Sequence, residues 1–329
     1  MTNTSNNHQI NMEKIKRELR LYFSPDAVEA IEKASDFDDP ECLESLSDLI
    51  NTQKAKMPSK TTVAEWLKKP VTETDWDINQ LMARGTTFII AGNVGIGKSW
   101  ESMHLAFQFR RGGFWHGLQC RKLMPIYISL EFTEQQMQKR IIKLANIYPS
   151  ITDINILADK DTNYRLNNKE GKNNLFKLLR SYNQKFDVII LDSLALFVEG
   201  EIQKVNWNGT IEPVLNEIKK EFGCSIIFNH NLRKRIQIYG HSDDMFAPDR
   251  LKGASDIIDR ADSIVLLISE TQPRKDETGK SKRVEITKWI HATKTRDAER
   301  ELKPHRILWD PDKVMFVPED GQGWVPQQI

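Results

Sequence analysis

The run Gly92-Asn93-Val94-Gly95-Ile96-Gly97-Lys98-Ser99 constrains this chain more than any other stretch. It follows an apolar run at 86–91 that reads as a strand, and it precedes a segment at 100–110 that reads as a helix. The four-residue spacer between Gly92 and Gly97-Lys98-Ser99 lets backbone N–H groups wrap a diphosphate, while the N-terminus of the next helix adds its dipole. Lys98 is then expected at the β- and γ-phosphates of ATP, and the Ser99 hydroxyl on Mg²⁺. The bland alternative is a glycine-rich turn with a stray lysine; the strand before and the helix after argue against it. Trp100 stands where a small or hydroxylated residue is often found, which leaves the local packing open but removes no phosphate contact. Residues 92–100 are therefore the expected nucleotide-binding segment.

A chain of 329 residues is long enough for one large α/β domain with a small appendage. Lysine and arginine number 47 against 46 acids, a net charge of +1, so the molecule as a whole is no polycation. Any nucleic-acid surface must be local, in a loop or a ring lumen. Cys42, Cys120 and Cys224 are odd in number, far apart and without a CxxC pair. That pattern suggests a reducing cytosol and neither a disulfide framework nor a zinc site. No apolar run approaches membrane-spanning length and residues 1–9 have no signal-peptide core, so the expectation is a soluble cytoplasmic protein with no membrane partner.

Residues 1–11, rich in Asn, Thr and Ser, read as a disordered tail. Helical spacing at 12–23, then Ser24-Pro25 and Asp39-Pro40 as cap and first-turn signals, predict a helical appendage over 12–55. Residues 54–60 read as a linker, and the main domain is expected over 61–329. From 61 onward strands and helices alternate, which argues for a mostly parallel sheet with helices on its faces. Expected strands are 125–130, 186–191, 225–228 and 263–268; expected helices are 134–144, opened by a Thr133/Gln136 capping box, 173–182 and 210–222. The tail reads as a hairpin-like pair, 283–289 with 290–294, followed by 306–309 and 314–317 around Asp310-Pro311-Asp312.

Asp192 closes the third buried strand, where an acid can complete the metal site begun by Ser99; an aspartate capping the next turn is the structural alternative. Glu131 closes the strand after the phosphate-loop helix, where a carboxylate can polarise an attacking water; its alternative is a cap for the Thr133 helix. His230 ends the fourth strand, a position that can report the γ-phosphate to the loop at 231–253. That loop carries Arg233, Lys234, Arg235, Arg250 and Lys252, read either as a solvated face or as contacts to nucleic acid. Lys294 and Arg296, at alternate positions of an extended segment, share a face and suit a reach across a subunit boundary.

The succession GNVGIGKS, YISLE, FDVIILDS, IIFNHN, LKGASDIIDRADSIVLLI and ATKTR resembles the RecA-like hexameric ATPases over roughly 66–317, and within them the RepA-type plasmid replicative helicases and their DnaB-type relatives. The resemblance implies a RecA-like P-loop core that assembles as a homo-oligomeric ring, most simply a hexamer, hydrolyses ATP with Mg²⁺ and moves along single-stranded DNA or RNA. It implies Glu131 as catalytic base, Asp192 as Walker B acid, His230 as γ-phosphate sensor, Lys294 and Arg296 as fingers acting in trans, and the 233–252 loop as the face toward the strand. Three departures stand out. His230-Asn231 replaces paired histidines, the first 55 residues are too few for a primase-binding domain, and Asp243, Asp244 and Asp249 lie among the basic loop residues. An ATPase scaffold of the same fold, which does not unwind, is the competing reading. A small-molecule P-loop kinase is disfavoured by the lack of an arginine-rich lid.

Overall fold

Period-two alternation of side-chain direction decides the architecture. Successive strand residues point to opposite faces, so a strand that is apolar throughout must be covered on both sides. The computed structural model describes residues 2–56, 61–232, 251, 255–275, 281–299 and 301–324. They form two compact units, Met1–Thr72 and Glu73–Ile329.

The first unit comprises α1 (Thr2–Tyr22), α2 (Pro25–Ala34), α3 (Pro40–Lys56) and the short α4 (Val63–Trp66). Ile15, Leu19, Val28, Leu43, Leu46 and Ile50 make its core. Ser24 caps α2 by accepting from the Ala27 N–H, and Pro25 stands at the first helical position, as the sequence predicts. Helix α1 begins at Thr2, so the stretch expected to be a disordered tail is helical. Once a turn exists, each added residue gains a hydrogen bond for fixing one more backbone unit, so a buried stripe at Ile15 and Leu19 can carry a polar extension. The expected break near residue 60 also differs from the observed one, because α4 belongs with the first unit, its Thr62/Glu65 capping box closing a further helical turn.

The second unit is built on a sheet of order β13-β12-β11-β10-β3-β9-β8-β6-β7. In chain order its elements are the short pair β1 (Trp76–Ile78) and β2 (Met82–Ala83), then β3 (Thr87–Gly92), α5 (Lys98–Arg111), the short pair β4 (Phe114–Trp115) and β5 (Leu118–Gln119), β6 (Pro125–Ser129), α6 (Glu134–Ile147), β7 (Asn155–Ala158), α7 (Lys169–Ser181) and β8 (Val188–Asp192). There follow α8 (Glu212–Phe222), β9 (Ser225–Asn231), α9 (Ser255–Arg260), β10 (Ser263–Lys275), β11 (Ser281–Thr295), β12 (His305–Asp310) and β13 (Met315–Pro318). Strands β10, β3, β9, β8, β6 and β7 run parallel, and β11, β12 and β13 add antiparallel at one edge. Phe88 and Ile90 face one helical layer with Met103, Phe109 and Tyr127, while Ile89 and Ala91 face the other with Leu175, Leu215 and Phe228. The expected α/β fold with a mostly parallel sheet is the one observed.

Residues 283–294 do not form a hairpin with each other. They are one strand, β11, paired along its length with β10. The ladder runs straight through the expected break, Trp289 pairing with Ile268 and Ile290 with Leu267, and no turn residue lies between them to fold the run back.

Candidate nucleotide site

Parallel strands carry their C-terminal ends to a common edge, where β6, β8 and β9 deliver polar groups and β3 leads into the glycine-rich loop. In register, Ser129 lies opposite Asp192, Ala91 opposite His230, and Gly92 opposite Asn231. The loop after β3 turns through Gly95 (φ 77°) and Gly97 (φ 115°), conformations that side-chain-bearing residues rarely adopt. Gly97 meets a second constraint, since a β-carbon there would lie 2.5 Å from the Phe316 ring. Lys98 and Ser99 open α5 directly behind this turn.

Lys98 is buried, and its Nζ donates to the carbonyls of Gly92 and Asn93, each at 3.0 Å, leaving its third proton for another acceptor. Burial pulls its ammonium down to about 8, and the charges of Asp192 and Glu131 act against that pull. A buried cation with a donor to spare, at a helix N-terminus behind a glycine-shaped turn, fits a phosphate group. Ser99 and Asp192 carry oxygen atoms of the kind that Mg²⁺ favours.

Asp192 is buried at the end of β8 and accepts a 2.7 Å hydrogen bond from the Tyr127 hydroxyl. Ser102 Oγ lies 3.2 Å from that hydroxyl and accepts from Asn229 Nδ2 at 2.7 Å. A buried chain thus runs from β9 through α5 and β6 to the carboxylate on β8. Tyr127 reads in sequence as one more apolar strand residue. The available signal was its hydroxyl, which must find a partner when buried.

Glu131 stands exposed two residues beyond β6, and its N–H donates to Ser129 Oγ at 3.3 Å. The walls around it withdraw water and Asp192 adds like charge, so its carboxyl is held above the usual value although Lys98, Arg140 and Lys160 pull the other way. The helix-capping role considered for it belongs to its neighbours, because Thr133 and Gln136 form the capping box of α6 between themselves. His230 is buried near the end of β9.

Lys294 and Arg296 lie elsewhere. Ile264 pairs with Lys294 and Ser263 with Thr295, at the start of β10, whereas the phosphate loop follows Gly92, which pairs with Leu267. The two cations therefore sit toward the opposite sheet edge from Lys98 of their own chain. Lys294 Nζ donates to the carbonyls of Ile258 and Asp259, at 2.7 and 2.9 Å, and Arg296 pairs with Asp262 at 2.7 Å. Arg233, Lys234, Arg235, Arg250 and Lys252 lie outside the described residues.

A second buried cluster backs the loop. Glu101, fully buried in the first turn of α5, accepts from Trp115 Nε1 (2.9 Å), His116 Nε2 (3.0 Å) and the Phe316 N–H (3.2 Å). Burial works against its charge, but His116, His104 and the Phe316 N–H together hold it below the ordinary glutamate value. None of its partners is near it in sequence pattern, and a glutamate in a first helical turn reads as a dipole-favoured surface residue.

A glycine-rich loop between a buried parallel strand and a helix, close to strand-end carboxylates, has the form of a phosphate-binding loop in an α/β fold with a mostly parallel sheet. Residues 52–237 match the AAA domain family, and the chain belongs to that family. No curated protein matches it. Among solved structures it is similar to a KaiC-like protein from Pyrococcus horikoshii OT3, at 16% identity over 74% of this chain and 93% of that one, with a TM-score of 0.47. Two others are the flagellar accessory protein FlaH from Methanocaldococcus jannaschii (18%, 72% and 90%, 0.45) and the ATPase domain of G40P (16%, 72% and 86%, 0.49). Among the described residues no helix is long and apolar enough to cross a membrane, and no cluster of metal-ligating side chains occurs.

Proposed function

We propose that this protein is an ATP-driven motor of the RepA-type replicative helicase kind, working as a ring, most simply a hexamer, on single-stranded DNA. In this reading Lys98 binds the β- and γ-phosphates, Ser99 and Asp192 hold Mg²⁺, and Glu131 takes the proton of the attacking water. The metal supplies charge neutralisation on the phosphates. His230 senses the γ-phosphate and passes its loss to the loop that bears Arg233, Lys234, Arg235, Arg250 and Lys252, which faces the strand. Lys294 and Arg296 complete the site of the neighbouring subunit.

The observation that carries the reading is the separation of Lys98 and Arg296 within one chain. Cations at the end of β11, beside the start of β10, cannot serve the loop at the other edge, so any role for them on nucleotide requires a second copy. Glu131 supports hydrolysis over mere binding: a carboxyl raised above its usual value within the field of Lys98 and Asp192 suits a group that must accept a proton.

The test is strand displacement on a forked DNA substrate with Mg²⁺ and ATP, alongside ATP turnover with and without single-stranded DNA. The proposal expects turnover stimulated by the single strand together with displacement. Turnover without displacement would instead assign the chain to the ATPase scaffolds.

A further inference from the structure

The guanidinium of Arg140, on α6, is stacked on two aromatic rings that come from different parts of the site. Its Cζ lies 4.6 Å from the Trp100 ring centroid and 4.0 Å from that of Phe132. Trp100 directly follows Ser99, and Phe132 directly follows Glu131. One side chain therefore touches both the residue after the metal-binding serine and the residue after the proposed base. Contact of this kind favours arginine, whose planar, weakly hydrated ion lies well against aromatic rings, over the compact ammonium of lysine. Arg140 Nη1 is buried and has no hydrogen-bond partner among the described residues, so the ion is held by its rings and by the charges around it. Those charges are Asp192 and Glu131. Lys143, one helical turn along α6, lies 6.0 Å from the Trp100 ring, and Trp309 packs against that ring at 5.9 Å.

We propose that Trp100, Arg140 and Phe132 form a clamp that fixes the distance between the phosphate loop and the Glu131 turn, with Arg140 as a positioning residue for hydrolysis. This rests on the ATPase reading of the same site. It also gives Trp100, unusual after a phosphate-loop serine, a reason to be aromatic. The clamp acts on geometry between two bound parts, so it governs the rate of the chemical step and leaves ground-state nucleotide affinity alone.

The experiment is a double-mutant cycle on Phe132→Leu and Arg140→Lys, read as kcat and KM for ATP, with Phe132→Tyr and Trp100→Phe as conservative rescues. Each disruptive variant is expected to lower kcat about 10-fold with KM within about twofold. The double variant should be no worse than about the poorer single one, since both break the same clamp. Phe132→Tyr and Trp100→Phe should stay within about twofold of wild type. Losses that multiply, a loss confined to KM, or equal losses in Phe132→Tyr and Phe132→Leu would each overturn the clamp. If Arg140→Lys fails to fold, Phe132→Leu against Phe132→Tyr carries the test alone. A wild-type protein that binds nucleotide without turning it over counts against the ATPase reading. The same cycle is then read on affinity for ADP–aluminium fluoride relative to ADP, where the clamp predicts selective loss of the former and uniform loss contradicts it.

Discussion

The hydroxyl of Tyr127 donates a 2.7 Å hydrogen bond to Oδ2 of Asp192, and both groups are buried. With its proton spent on Asp192, Tyr127 is in turn supported by Ser102, and Ser102 by Asn229. A carboxylate aimed by a fixed donor pays no reorganisation cost when metal and phosphate arrive. Tyr127→Phe keeps the ring and removes that donor. It is expected to lower ATP turnover by about 10-fold and to raise the Mg²⁺ concentration needed for half-maximal rate, with nucleotide affinity retained. A magnesium titration of the steady-state rate checks this.

Lys98 costs the nucleotide-free protein stability. Its folded value is pulled from 10.5 to about 8, so between those pH values the folded chain binds fewer protons than the unfolded chain and stability rises with pH. Below that window the burden is fully present. Lys98→Met should abolish nucleotide binding yet raise stability at pH 7 by on the order of 2 kcal/mol and remove the rise above pH 8. Urea unfolding at pH 7 and pH 10, with and without the substitution, measures both effects. In wild type, ATP affinity should also weaken as pH climbs past about 8, as the free lysine loses its proton.

Gly97 is constrained twice, by φ 115° and by the Phe316 ring. Gly97→Ala should destabilise the protein by about 1–3 kcal/mol and weaken ATP binding by distorting the turn. Adding Phe316→Leu removes the ring but not the backbone strain, so it should restore only part of the loss. Thermal melts and nucleotide titrations of the single and double variants separate the two contributions.

Glu101 joins α5 to β4, to His116 and to β13 through three donors. Glu101→Ala leaves those donors unpaired in a buried site, at a cost of about 3 kcal/mol. Since its folded value lies below the ordinary 4.5, its contribution is present above pH 4.5 and is lost as pH falls through the folded value. Acid unfolding of the variant should therefore begin from lower stability and show a shallower dependence on pH below 4.5.

The parts of the site legible in the sequence were those fixed by local geometry. The phosphate loop is a spacing of glycines followed by Lys-Ser, and a strand-final acid such as Asp192 is placed by counting along an apolar run. What escaped was set by tertiary packing. Tyr127 and Arg140 are an ordinary strand aromatic and an ordinary helix cation until β8 and the Trp100 ring come beside them. Strand β7 escaped because Asn155–Ala158 is short and only half-buried at the sheet edge. The single strand β11 reads as two segments in the sequence because its pairing with β10, not its own composition, sets its length.

The central claim is that ATP is hydrolysed between subunits, and the most direct test is a mixture of two inactive variants. Arg296→Ala is expected to bind ATP and to lose about 10³-fold or more in turnover, and Lys98→Ala to fail in binding. In a mixed ring the intact loop of an Arg296→Ala subunit meets the intact finger of a Lys98→Ala subunit, so part of the ATPase activity should return on mixing. Exchange of subunits is verified by mass measurement. A titration of Arg296→Ala into wild type distinguishes independent sites, which lose activity in proportion, from strict coordination, which loses it steeply. Exchange without any return of activity, together with a proportional titration, would contradict the shared site.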